Sequence, residues 1–152
     1  LIKNQISIKM ADVSDVKIFD DHIFIDTGSP HHIVIVDDLN SIDVNKIGSK
    51  ISSGSPYFQE GTNVNFVKVN SDFEFDIRTY ERGVESETLS CGTGATAVAI
   101  AMYEKKITKR EVIKINVKGG ELFVDFKKKN RSFNNIHLIG TADHIFSGKI
   151  KI

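Results

Sequence analysis

The sequence has a single cysteine, no tryptophan and no long apolar run. One cysteine in 152 residues excludes an internal disulfide, and with it a small secreted scaffold held together by such bonds. A structural zinc site made of several thiolates is excluded for the same reason. No apolar run approaches the roughly 20 residues that a membrane-spanning helix needs, and the first residues lack the layout of a signal peptide. We therefore expect a cytoplasmic protein with no membrane partner.

The chain also lacks net charge, because 20 Lys and Arg residues balance 20 Asp and Glu residues. A neutral chain offers no field that attracts polyanions, so nucleic acid is not expected as a partner. A hydrophobic content of 40% and a charged content of 26% are close to globular averages, which excludes disordered and collagen-like classes. The length of 152 residues suits one domain with its own core.

Alternating and β-branched patterns predict strands along most of the chain. Two of these strands flank a polar turn at Thr27–His31, and another two form a strong hairpin signal around Gly119 and Gly120. The predicted strands cover residues 6–10 (half-buried through Ile6, Ile8 and Met10), 22–26, 32–36, 63–69, 73–80, 112–117, 122–126, 136–139 and 145–152.

Two stretches follow helical spacing instead. Residues 43–52 carry Val44, Ile47 and Ile51 on one face, with Ser41 or Asp43 as the cap. Residues 92–106 are rich in alanine and place their apolar residues on a common face. Many strands with two helices predict an α+β domain.

The only cysteine, Cys91, stands where the second predicted helix begins. Unpaired backbone N–H groups at a helix start lower a thiol pKa, which predicts a thiolate near neutral pH. Gly92 and Gly94 leave space for a carboxylate or phosphate against those N–H groups. A base beside such an anion cradle is what acyl transfer, or proton abstraction next to a carboxylate, requires. The alternative is a buried, inert cysteine beside glycines that serve packing alone.

The same glycines also match the dinucleotide fingerprint G-x-G-x-x-A, from Gly92 to Ala97. That fingerprint requires an apolar strand that runs directly into its first glycine within a βαβ unit. Residues 83–90 are polar and loop-like instead. The context therefore does not favour a dinucleotide site.

Residues 81–94 resemble the signature E-R-G-x-x-E-T-x-x-C-G-T-G of the diaminopimelate epimerase family, with Ser86 as one extra residue. Residues 28–31 are similar to that family's G-N-P-H turn, and residues 58–66 to its substrate-asparagine strand. The resemblance implies a strongly curved mixed or antiparallel sheet that wraps around a central helix starting near Cys91.

The resemblance also implies an activity, the interconversion of LL- and meso-diaminopimelate in lysine and peptidoglycan precursor biosynthesis. Two cysteines would exchange protons at Cα as a thiolate and a thiol, with no cofactor such as pyridoxal phosphate and no metal. The small-molecule partner would then be diaminopimelate itself. A related proline or hydroxyproline racemase, or a non-catalytic domain that binds a small anion, is the alternative.

The family's site residues correspond to positions in this chain. Cys91 resembles a catalytic cysteine, and Gly92 and Thr93 resemble the backbone donors that hold the α-carboxylate. Asn65 is an alternative to Asn63 as a substrate contact, because alternation along a strand places both on one face. Further substrate contacts implied by the resemblance are Ser29 (where the family usually has Asn), Asn63, Glu81 and Arg82, and the residues that tune the cysteine pKa are His31 and Glu81.

The resemblance covers only the family's C-terminal half, and the chain starts at Leu1 rather than Met. We therefore expect residues 1–152 to form a single C-terminal-type domain that lacks the N-terminal half with the second cysteine. Such a domain would be inactive alone and is compatible with a homodimer. Glu81 and Arg82 distinguish the enzyme alternatives, because a substrate with a second charged end needs such a pair and a ring substrate does not.

Overall fold

A computed structural model describes residues 4–151 of the chain. Within this range ten strands form one mixed sheet, and two α-helices pack against it. The predicted α+β class is confirmed. No helix in this range is long and apolar enough to cross a bilayer. The elements are β1 (Gln5–Lys9), β2 (Val16–Ile18), β3 (Ile23–Asp26), β4 (Pro30–Ile35), α1 (Val44–Ser52), β5 (Asn63–Val69), β6 (Glu74–Glu81), β7 (Ser86–Thr88), α2 (Gly92–Glu104), β8 (Val112–Val117), β9 (Gly120–Lys129) and β10 (Ser132–Thr141).

The sheet has the order β1-β10-β9-β8-β6-β5-β4-β3-β2, and the short β7 pairs with β6. Among the described strand pairs, β4–β5 and β6–β8 are parallel and the others are antiparallel. Parallel pairs need crossover connections, and the helices lie in them: α1 joins β4 to β5, while α2 lies between β6 and β8.

Helix α2 lies at the centre of the curved sheet, as the resemblance implies. It contacts β3, β4 and β5 on one side and β8, β9 and β10 on the other. Its residues from Gly94 to Met102 are all buried. A helix that is apolar on every side belongs inside a core, and its alanines let the surrounding strands approach closely.

Helix α1 covers the outer face of the sheet and begins with the predicted cap. The Asp43 carboxylate accepts a hydrogen bond from the Lys46 N–H at 3.0 Å. Gly48 lies directly against Tyr80 of β6. The central strands are therefore covered on both faces, which explains why residues 63–67 of β5 are continuously buried.

The strands of the structure differ from the predicted ones in three respects. The strand predicted at 145–152 is wrong, because residues 142–151 have no regular structure and Ile152 lies outside the described range. Ile145 and Phe146 there are 84% and 82% exposed, so their apolar pattern does not reflect a packed face. β1 is a strand as predicted, but Ile6 and Ile8 on it are about half exposed. The three-residue strands β2 and β7 were not predicted, since they are too short to show a period.

Candidate active site

The predicted site residues meet at one end of the central strands, beside the start of α2. The parallel strands β4 and β5 both begin at this end, and β6 ends there because it is antiparallel to β5. The register places His31 opposite Asn63, and Asn65 opposite Thr79. Strand pairing therefore assembles polar side chains from three strands under the N-terminus of α2.

Cys91 is the N-cap residue of α2 and has an extended backbone. Its side chain is buried, and its Sγ lies 3.5 Å from the Thr93 hydroxyl. Burial raises the pKa of the Cys91 thiol, and the negative charge of Glu81 adds to that increase. Hydrogen bonds from the Thr93 side chain and from the backbone at positions 93 and 94 oppose the change but do not outweigh it. The predicted depressed pKa is therefore wrong, because desolvation exceeds the effect of the helix end.

The raised pKa predicts slow alkylation of Cys91 near neutral pH. We expect the iodoacetamide rate to rise with a midpoint above the value of about 8.5 for a free cysteine. Thr93→Val should raise the midpoint further, because it removes a hydrogen bond to sulfur, and Glu81→Gln should lower it. Mass spectrometry at a series of pH values measures the rate, with the urea-denatured chain as control. A native midpoint below that of the denatured chain contradicts the prediction.

Close contacts surround Gly92 and Gly94, the two glycines near the start of α2. A Cβ atom at Gly94 would lie 2.5 Å from Asn65 Oδ1 and 3.2 Å from Cys91 Sγ, and one at Gly92 would lie 2.7 Å from a methyl group of Leu138. The first helical hydrogen bond joins the Ala95 N–H to the Cys91 carbonyl, so the three N–H groups before it have no intrahelical acceptor. The N-terminus of α2 thus combines close packing at Gly92 and Gly94 with N–H groups that no carbonyl of the helix accepts.

His31 lies in a buried network with Asn65 and Thr79. Its Nδ1 is 3.1 Å from Asn65 Nδ2, and the Thr79 hydroxyl donates to Asn65 Oδ1 at 2.9 Å. Burial, followed by the nearby charge of Arg82, lowers the pKa of His31 to about 3. His31 is therefore neutral at physiological pH. No described residue forms a hydrogen bond with its Nε2.

The low pKa of His31 predicts a loss of stability in mild acid. In the unfolded chain the pKa of His31 is 6.5, so between 6.5 and about 3 the unfolded state binds more protons. We expect neutral His31 to make its full contribution to the free energy of unfolding above this range. That contribution should fall by about 2 kcal/mol between about pH 7 and about pH 5. Urea unfolding at the two pH values measures the loss. His31→Gln should reduce it, His144→Gln on an exposed tail residue should not, and an equal loss in both variants contradicts the assignment.

Asn63 uses both ends of its amide within the protein. Its Nδ2 donates to Ser29 Oγ at 2.7 Å and to the Pro30 carbonyl at 3.0 Å, and its Oδ1 accepts from the Arg82 N–H at 3.0 Å. Asn63 therefore joins the β3–β4 turn to the start of the β6–β7 turn. Ser29, which stands where the family usually has Asn, takes part in this link.

Glu81 and Arg82 lie next to each other but bind different partners. The Glu81 carboxylate accepts a hydrogen bond from the Thr88 hydroxyl at 2.8 Å. The Arg82 guanidinium donates to the Glu60 carbonyl at 3.0 Å and packs against Gly61. Among the described residues no ion pair joins Glu81 to Arg82. Each charge therefore remains able to meet a group of opposite sign on a ligand.

The extra residue of the signature, Ser86, directly follows the β6–β7 turn as the first residue of β7. Glu81 pairs with Ser86 across the hairpin, so the turn consists of residues 82–85. Gly83 and Glu85 adopt left-handed backbone conformations in it, with φ values of 89° and 59°. The Glu85 carboxylate stabilises the turn by accepting hydrogen bonds from the Gly83 N–H and the Tyr80 hydroxyl. With Ser86 in the hairpin, Tyr80 pairs with Glu87 and Thr79 with Thr88.

Threonines around the site were not singled out from the sequence. Thr79 and Thr88 hold Asn65 and Glu81, as described above. Thr27 donates to the Thr93 carbonyl at 3.2 Å, and Thr96 donates to the Gly92 carbonyl at 3.0 Å. For Thr79 the available signal was its inward position on β6, the strand that ends with Glu81, and this signal becomes informative only once strand register is known.

Comparison with known sequences identifies closely similar proteins. A profile of the family described as diaminopimelate epimerase matches residues 23–145. The chain is 50% identical over 145 residues to diaminopimelate epimerase of Flavobacterium psychrophilum, and 42% identical over 129 residues to that of Aquifex aeolicus. These matches cover 95% and 84% of this chain but 57% and 45% of those proteins. The chain thus spans about half the length of the curated relatives it matches.

Solved structures with the same fold have low sequence identity. A hydroxyproline epimerase from Agrobacterium vitis matches with a TM-score of 0.60 and 15% identity, over 91% of this chain and 50% of that one. A methylitaconate-delta-isomerase matches with a TM-score of 0.59 and 13% identity, over 88% and 48% of the two chains. At these identities the likeness concerns the fold alone, and it confirms the predicted curved-sheet architecture.

Proposed function

Because this chain belongs to the diaminopimelate epimerase family, we propose that it forms the C-terminal-type half of an isomerase that inverts one Cα centre of diaminopimelate. The observation that carries the proposal is Cys91, a buried thiol at the N-cap of α2. It stands in the segment that matches the family signature, beside N–H groups suited to a carboxylate.

The proposed reaction uses two bases on opposite faces of Cα. Cys91 exchanges a proton on one face, and a cysteine of the other half of the enzyme exchanges one on the opposite face. The N–H groups of Gly92 and Thr93 hold the α-carboxylate and offset the negative charge that develops as the Cα–H bond breaks. No cofactor is needed as an electron sink in this scheme.

The raised pKa of Cys91 fits the acid role in this exchange. A thiol that remains protonated near neutral pH can deliver its proton to Cα, while the opposing thiolate removes one. The productive form of the pair is then one thiol and one thiolate. Because the two groups titrate together, we expect a bell-shaped dependence of kcat/KM on pH.

The second charged end of diaminopimelate would meet Glu81 and Arg82. Glu81 offers a carboxylate to the distal ammonium group, and Arg82 offers a planar guanidinium to the distal carboxylate. No ion pair joins Glu81 to Arg82 within the described residues. This pair favours diaminopimelate over proline or hydroxyproline, which carry no second charged end.

The proposed enzyme is cytoplasmic, and its partners are diaminopimelate and the other half of the same enzyme. The cytoplasm keeps a catalytic thiol reduced, and the partner domain is the half that supplies the second cysteine. A homodimer of the complete enzyme stays a prediction that sedimentation velocity would check.

A fusion protein tests the proposal. The purified chain alone should not interconvert LL- and meso-diaminopimelate, whereas its fusion to the N-terminal remainder of the Flavobacterium psychrophilum relative should. Chiral chromatography measures the interconversion, with proline and 4-hydroxyproline as control substrates. Activity on the cyclic substrates alone would support a racemase. Binding of diaminopimelate without interconversion by the fusion would support the anion-binding domain.

A further inference from the structure

The His31–Asn65–Thr79 network lies directly beneath the N-terminus of α2. Asn65 Oδ1 is so close to Gly94 that a Cβ atom there would be 2.5 Å from it. The other end of the same amide faces His31, with Nδ2 and Nδ1 separated by 3.1 Å. Asn65 therefore connects the start of the catalytic helix to the buried imidazole.

Two contacts determine which end of the Asn65 amide faces α2. The N-terminus of a helix carries a partial positive charge and favours an oxygen over an NH₂ group. The buried Thr79 hydroxyl donates to this oxygen at 2.9 Å and has no other acceptor among the described residues. Both contacts place Oδ1 towards α2, so Nδ2 points at His31.

This orientation determines the position of the proton on His31. Asn65 Nδ2 can only donate, so His31 Nδ1 must accept and carry a lone pair. A neutral imidazole with a lone pair on Nδ1 carries its proton on Nε2. That N–H is buried and forms no hydrogen bond with any described residue. A buried donor without an acceptor is costly and rare, which indicates an acceptor that the described residues do not supply.

We propose that Asn65, supported by Thr79, is a positioning residue that locks His31 in the Nε2–H tautomer, so that this N–H donates to an acceptor which enters the completed site. The proposal rests on the proposed function only for the identity of that acceptor, which is a group on the substrate or on the other half of the enzyme. The tautomer itself is a property of this chain.

Nitrogen NMR of the ¹⁵N-histidine-labelled chain tests the tautomer directly. Long-range proton–nitrogen correlations distinguish Nδ1–H, Nε2–H and imidazolium forms. The loss of one set of signals in His31→Gln assigns His31 among the five histidines. We expect only the Nε2–H form near neutral pH. An Nδ1–H or imidazolium form in the wild-type chain would overturn the proposal without any variant.

Asn65→Asp provides the second measurement. An aspartate can only accept, so it should convert His31 to an Nδ1–H or doubly protonated form and raise the His31 pKa by about 1–3 units. An unchanged Nε2–H form in folded Asn65→Asp would overturn the role of Asn65.

Thr79→Val and Thr79→Ser form a matched pair for the hydroxyl. We expect the valine variant to show a second, Nδ1–H set of signals, because Asn65 can then rotate, and the serine variant to match wild type. Identical spectra for valine and wild type would remove Thr79 from the proposal. These readouts need no catalysis, so failure of epimerase activity in the fusion protein would leave them interpretable.

Discussion

Replacing Cys91 with alanine in the fusion enzyme should reduce the interconversion of LL- and meso-diaminopimelate about 100- to 10,000-fold in kcat. The substitution removes one of the two proposed bases. It leaves the N–H groups at the start of α2 in place, so KM should change much less than kcat. Initial rates at a series of substrate concentrations separate the two constants.

Exchange of the Cα proton with solvent deuterium distinguishes this variant more clearly than the rate of interconversion does. The remaining cysteine in the other half should still exchange the Cα proton of one stereoisomer without inverting it. Inversion should therefore be lost more completely than exchange, and exchange should be confined to one isomer. Ser90→Ala, at the exposed neighbouring position, is the matched control and should behave like wild type. Equal inversion rates in wild type and Cys91→Ala would exclude Cys91 as a base.

Gly94→Ala should have the second largest effect, because it changes both stability and the site. The added Cβ atom would lie 2.5 Å from Asn65 Oδ1 and 3.2 Å from Cys91 Sγ, so the amide and the thiol must both move. We expect a decrease of about 1–3 kcal/mol in the free energy of unfolding, as for other overpacked cores. In the fusion enzyme, kcat should fall as well, since the displaced thiol no longer faces Cα correctly.

Gly148→Ala is the control for this prediction. A Cβ atom at Gly148 would approach another residue no closer than 4.0 Å. Urea unfolding of both variants measures the difference in stability, and the fusion enzyme reports kcat. Wild-type stability and activity for Gly94→Ala would show that the close approach between α2 and Asn65 is not required.

The fold was largely predictable because local patterns agree with it. The period of two in β5 and β6, the glycine pair where the β8–β9 hairpin turns, and the alanine-rich start of α2 each indicate one structure. The tail from 145 onwards shows the limit of such patterns. Its apolar residues alternate as in a strand, but no partner strand in the described chain pairs with them.

The chemistry of the site was less predictable than its residues. Cys91, His31 and Glu81 could be named from motifs, but the direction of the Cys91 pKa could not. A helix start lowers a thiol pKa, while burial raises it, and the extent of burial depends on how the whole sheet closes around α2. The same holds for Asn65, whose contact with His31 exists only because β4 and β5 pair in a particular register.

The four-residue turn between β6 and β7 has a consequence for how relatives of this chain are recognised. The extra residue of the signature, Ser86, directly follows this turn and pairs with Glu81, and Thr88 pairs with Thr79 three residues before Cys91. Residues 82–85 belong to no strand pair in the described part of the chain, so the length of this turn can vary without moving the thiol or the carboxylate of Glu81. A search pattern with fixed spacing across this turn would reject proteins that carry the same site, whereas one anchored separately on the two strands would find them.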